Sequence, residues 1–157
     1  MTWPMVKLES VAVINPRLPK NVDEEQKVSF VAMASASEDG RLLSEENRVL
    51  SETKKGFTYF NKGDVLLAKI TPCFENGKCL RPNQISNPIG FGSTEFHVLR
   101  ANVDELDSLY LFYMLWNAKF RSLGEASMSG AAGQKRVSTD FLKSFEIPLP
   151  PLAEQQR

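Results

Sequence analysis

Apolar positions change their period several times along the chain, and each change predicts an element. In "VSFVAMASA", "GDVLLAKIT" and "STEFHVLR" the apolar residues run together or alternate over four to eight positions, which predicts strands. The second of these is a buried strand introduced by Gly63-Asp64. In "WPMVKLESVAVI", Val6, Leu8, Val11, Ala12 and Ile14 fit a short amphipathic helix, followed by an irregular stretch through Gln26. Asp107 has the short acceptor of an N-cap, and the large apolar residues from there to about Leu123 predict one buried helix. "CFENGKCL" predicts a hairpin turning on Asn76-Gly77, with Cys73 opposite Leu80 and Cys79 opposite Phe74. A loop low in bulk, "GEASMSGAAGQKRVSTD", separates the helix from a short strand at Phe145 to Ile147. Pro148, Pro150 and Pro151 then make an extended exit, and Leu152 to Arg157 are helix formers. There is no internal repeat. The pattern predicts one α+β domain with a curved, mostly antiparallel sheet, one main buried helix and the start of another at the C-terminus.

Composition narrows the class. The chain has 157 residues, 42% hydrophobic and 24% charged, as expected of one globular domain with a real core. No apolar run approaches a membrane span and the start is not a signal peptide, so a cytoplasmic protein without a membrane partner is expected. The predicted hairpin register points the two cysteines to opposite faces, which argues against a disulfide, and a single histidine, His97, leaves a zinc site short of ligands. Net charge is zero but uneven. Asp23 to Glu52 holds eight acids and three bases, Lys54 to Arg81 six bases and two acids, and Lys119 to Lys143 five bases and two acids. Two positive segments divided by acidic ones can form a local phosphate-binding patch.

Candidate chemistry favours binding over catalysis. A methyltransferase's Gly-rich loop between strand and helix is absent; "GFGS" precedes a strand. Asp39, Glu52 and Lys54 have the residue types of a metal-dependent nuclease but lie outside any strand pattern. His97 reads as a half-buried strand residue. The loop "SMSGAAGQKRVS" is different. Ser129 and Gly130 allow backbone to approach a surface closely, while Gln134, Lys135 and Arg136 are types that read base edges and grip phosphates. A second candidate is "AKITPCFENGK", where Lys69, Thr71, Asn76 and Lys78 crowd one strand and its turn. The alternative from another class is a protein-binding adaptor using the helix face from Tyr110 to Trp116, with the nuclease third.

Four stretches, "GDVLLAKITPCFENGK", "GFGSTEFHVLR", "MSGAAGQKRV" and "IPLPPLAEQQR", carry a resemblance. The chain resembles a target recognition domain of a type I restriction-modification specificity subunit, over most of its length and in the family's order. That resemblance implies a non-catalytic module that reads one half of a bipartite double-stranded DNA target and so directs methylation and cleavage. It implies methyltransferase subunits as partners, the restriction subunit through them, and a second recognition domain or half-subunit. No cofactor is expected on this chain, with S-adenosylmethionine, ATP and magnesium on the partner subunits. The Pro-Pro-Leu-x-Glu-Gln segment leads, in that family, into a spacer helix. The expected division is therefore residues 1–151 for recognition and 152–157 for the beginning of the spacer, cut short at Arg157. Target-reading residues vary within the family, so Gln134, Lys135 and Arg136 carry over as loop positions only.

Overall fold

A computed structural model describes residues 2–157. In chain order its elements are β1 (Met5–Lys7), α1 (Leu8–Val11), β2 (Ala12–Ile14), β3 (Lys27–Val31), β4 (Glu46–Val49), α2 (Leu50–Thr53), β5 (Thr58–Asn61), β6 (Val65–Ala68), β7 (Cys79–Leu80) and β8 (Ile89–Gly92). There follow β9 (Phe96–Ala101), α3 (Ser108–Trp116), α4 (Ala118–Ser127), α5 (Thr139–Ser144), β10 (Glu146–Pro148) and α6 (Leu152–Gln155). The strands form sheets ordered β2-β9-β6-β7 and β4-β3-β8-β5, with β1 and β10 paired apart from both. Only β3 and β8 run parallel among the paired strands. The expected α+β domain with mostly antiparallel pairing is what the sequence forms.

Strand β6 explains the architecture. Val65, Leu66, Leu67 and Ala68 are all buried, so their alternation is between two cores and not between core and water. Val65 and Leu67 join α1, α3, α4 and α5 through Leu8, Val11, Leu111, Leu115, Phe120 and Leu142. Leu66 and Ala68 face the second sheet, meeting Val31, Phe60, Leu80, Phe96 and Val98. A third cluster, with Val28, Phe30, Leu50, Tyr59 and Phe91, covers the far side of that sheet. Arg100 on β9 makes a two-pronged ion pair with the buried Asp64, at 3.0 and 2.9 Å, and so ties β9 to the turn that joins the two sheets through β5 and β6.

Four local expectations change. The N-terminal segment is two strands around a single helical turn, because Met5–Lys7 is captured by β10 and Ala12–Ile14 by β9. The long apolar helix breaks at Asn117, whose extended backbone (φ −68°, ψ 140°) closes α3 and whose Oδ1 caps α4 through Lys119 N at 2.7 Å. Arg121 donates to the Trp116 carbonyl at 3.2 Å, satisfying one acceptor the break releases. Gly90 to Ser93 does more than precede a strand: Ile89–Gly92 is β8, with the Phe60 ring lying over Gly90 from β5. The hairpin at Asn76-Gly77 forms in a different register. Cys79 pairs with Leu67 and Leu80 with Leu66, so the connection is a ten-residue excursion from Lys69 to Lys78. The excursion is longer because Phe74, 2% exposed, is drawn down against α4. Gly124 makes room for it, since a Cβ there would overlap the Phe74 ring, and this offsets the helix propensity that glycine forgoes. Both cysteines are unpaired packing residues.

Candidate nucleic-acid interface

The two loops singled out from sequence are joined by backbone hydrogen bonds. Lys69 and Ile70 extend β6 past its end, and the residues after α4 return to lie beside them. Thr71 N donates to Lys135 O at 2.9 Å and Val137 N to Lys69 O at 2.8 Å, with Ile70 opposite Arg136. Ser129 and Arg136 exchange both backbone bonds, Arg136 N to Ser129 O at 3.1 Å and Ser129 N to Arg136 O at 3.4 Å. They close residues 130–135 into a protruding exposed tip, in which Gly130 and Gly133 take φ of 124° and 81°. These bonds bring Lys69 and Thr71 beside Ser129, Lys135 and Arg136, with Gly130 and Gln134 in the tip itself.

Phe120 packs among the elements that flank the two loops. Its ring centroid lies 5.7 Å from that of Phe74 in the Lys69–Lys78 excursion, 5.7 Å from Phe141 and 4.8 Å from Phe145. One buried side chain on α4 therefore touches the Lys69–Lys78 excursion through Phe74 and, through Phe141 and Phe145, the segment that follows the tip.

The remaining candidates are less free. Asn76 is exposed on the excursion's turn, whereas Lys78 is half-buried with Nζ donating to Met33 O at 3.2 Å. Thr71 Oγ1 donates to Glu75. Arg136 meets Glu95 with Nε to Oε1 at 2.8 Å and Nη2 to Oε2 at 2.9 Å, and the guanidinium holds the Glu95 carboxyl below the usual carboxylate range. Lys135 is exposed and has no ion pair among the described residues. The patch is consequently smaller than the sequence charge suggests, since Lys54 in the same basic segment pairs with Glu24.

His97 is a structural joint. Its Nε2 donates to Val137 O at 2.8 Å and its Nδ1 accepts from Asn15 Nδ2 at 3.2 Å, so the neutral ring links three segments. Burial lowers its pKa from the ordinary value of 6.5. The unfolded chain therefore binds a proton below about pH 6.5 that the folded one refuses, and stability should fall as pH drops through that range toward the lowered folded value. Urea midpoints between about pH 7 and pH 5 check this, and the fall should be smaller in His97→Gln.

Asp39 is held by Ser37 and Arg41 within its own turn, and Lys54 by Glu24, so these groups do not converge with Glu52 on a cation. Among the described residues no group of three or more His, Cys, Asp or Glu is placed to share a metal. On α3, Leu111, Phe112 and Leu115 face the core, leaving Leu109, Tyr113 and Trp116 exposed. No helix among the described residues is long and apolar enough to cross a membrane.

Residues 1–157 match the family model of the type I restriction modification DNA specificity domain. The chain belongs to that family. This specificity domain is 41% identical over 157 residues to the type I restriction enzyme EcoEI specificity subunit of Escherichia coli, with 99% of the chain matched to 26% of that protein. It is likewise 41% identical, over the same shares, to the EcoAI specificity subunit of Escherichia coli. The specificity domain thus spans about a quarter of the length of these relatives. Its fold is that of the HsdS subunit from Thermoanaerobacter tengcongensis, with a TM-score of 0.75 at 24% identity, covering 99% of this chain and 39% of that one.

Sequence reasoning missed Glu95. Ser93, Thr94 and Glu95 were expected inside the strand but form the turn before β9, and the partner of Glu95 lies 41 residues away. Only the fold brings the two together.

Proposed function

We propose that this specificity domain reads a short double-stranded DNA sequence, one half of a bipartite target, and does no chemistry itself. The observation that carries the reading is the hydrogen-bonded junction of Lys69–Thr71 with Lys135–Val137, which gives a protruding glycine-bearing tip beside unspent positive charge. Lys69 and Lys135 neutralise phosphates. Asn76 and Gln134 present amides suited to an adenine edge, and Ser129 and Gly130 allow close backbone approach. Thr71 and Arg136 lie beside them at the junction, and Lys78 would reach DNA only by leaving the Met33 carbonyl. Methyltransferase subunits, a restriction subunit through them and a second recognition unit are the partners, and S-adenosylmethionine, ATP and magnesium belong to those subunits. Residues 1–151 form the recognition unit and 152–157 the first turn of a spacer helix that leads toward them.

Selection from a random duplex pool at low salt, followed by salt titration of the enriched sequence, tests this. The expected result is an enriched motif whose affinity falls steeply with salt. Lys135→Ala should weaken enriched and random duplex alike and reduce the salt slope by about one. Affinity independent of salt, or a pool that returns no motif, would overturn the proposal.

A further inference from the structure

We propose that Arg136 is a positioning residue: paired with Glu95, it fixes the neck of the 130–135 tip and does not itself read a base. The inference rests on the DNA-reading function above. An arginine that reads guanine presents two N–H groups as a fork to O6 and N7. Here the Nε and Nη2 edge is taken by the Glu95 carboxylate, and Nη1 donates to the Gln134 carbonyl at 3.2 Å. Three of the five guanidinium N–H donors are engaged, and the Nε–Nη2 fork is closed to a base unless it displaces the charge-assisted contacts of a carboxylate.

Glu95 is a fixed anchor. Its amide is held by Ser93 Oγ at 3.1 Å and its carbonyl receives Lys69 N at 2.8 Å, so its backbone belongs to the β6–β9 sheet edge. Arg136, in turn, closes the tip through both backbone bonds with Ser129 and through the Gln134 carbonyl inside it. The ion pair therefore connects sheet to tip, and Gln134 and Lys135 are the side chains left to meet DNA.

Two ideas predict opposite signs for Glu95. On charge alone, removing an acid from a DNA-facing surface should raise affinity. If the pair positions the tip, Glu95→Gln should instead lower the preference for the enriched sequence over random duplex by roughly fivefold, as should Arg136→Ala, the effect of a well-formed surface pair. The decisive variant is the exchange Glu95→Arg with Arg136→Glu, which keeps the pair and reverses its direction. Preference should recover in part, since the ion pair is restored but the donor to the Gln134 carbonyl is lost. An exchange as defective as Arg136→Ala, together with full preference in Glu95→Gln, would overturn the proposal and make Arg136 a reader.

Amide hydrogen exchange provides an arm that needs no DNA and no exchange variant. The Gln134 and Arg136 amides should exchange faster in Glu95→Gln than in wild type, and unchanged rates would also overturn the proposal. Should wild type enrich no sequence, the DNA-reading function fails, while this arm still decides whether the pair holds the tip.

Discussion

Phe120→Ala should destabilise the domain by about 3–5 kcal/mol, the cost of removing a buried phenyl ring from a core that cannot fully collapse. The ring is 1% exposed and touches three aromatic neighbours from two distant parts of the chain. For a chain of this length that corresponds to a melting temperature lower by roughly 10 °C. The functional effect should exceed what the folded fraction explains. Phe120 supports Phe74 under one candidate loop and Phe141 and Phe145 beside the other, so DNA preference should fall even at temperatures where the variant is fully folded. Calorimetry and pool selection on the same preparation check both. Phe120→Leu, which refills much of the volume, should recover most of the stability and less of the preference; equal recovery of the two would count against the ring as a support for recognition.

Gln155→Glu should cost on the order of 3 kcal/mol, although the side chains are nearly the same shape. Gln155 is 7% exposed, and its amide is almost saturated. Oε1 accepts from Asp107 N at 2.8 Å, while Nε2 donates to the carbonyls of Glu105 and Pro150, each at 2.8 Å. A carboxylate there turns its second oxygen onto two carbonyl oxygens, an arrangement it can relieve only by holding a proton. The loss should therefore be large near neutral pH and shrink as the solution is acidified, a trend opposite to that of His97. Denaturant midpoints for Gln155→Glu at two pH values check the sign. A loss no greater than that of an exposed Gln→Glu change would mean that the start of α6 is not fixed to the turn before α3.

Much of this was legible in sequence because the signals were local. Asp107 caps α3 by accepting from Leu109 N and Tyr110 N, both at 3.1 Å, and α6 begins one residue after Pro151. Strand β6 lies within the apolar run that predicted it, and β9 overlaps its run, starting at Phe96 and extending one residue further to Ala101. What failed depended on partners distant in the chain. Asn76-Gly77 has the composition of a two-residue hairpin, but burying Phe74 against Phe120 and Gly124 outweighs that local preference and moves the pairing to Leu66 and Leu67. The break at Asn117 was hidden for a different reason. An asparagine amid so many large apolar residues changes the periodicity little, yet its side chain can cap a new helix. At the candidate interface, the loop residues were identifiable by type, whereas the carboxylate that occupies Arg136 was not.

The pairing of β1 with β10 sets a schedule for synthesis. Met5 lies opposite Pro148 and Lys7 opposite Glu146, so the first strand leaves the ribosome about 140 residues before its partner, several seconds or more at ordinary elongation rates. Leu8, whose amide binds the Phe145 carbonyl and whose side chain is fully buried, waits equally long. Within this domain, the strand made first is thus among the last to be paired. Throughout that interval the helix-facing core lacks α5 and β10, and the nascent chain carries an unpaired β1 followed by an uncovered Leu8 that chaperones can hold. A ribosome stalled before residue 146 should leave the N-terminal segment open to protease while β6 and β9 are already protected.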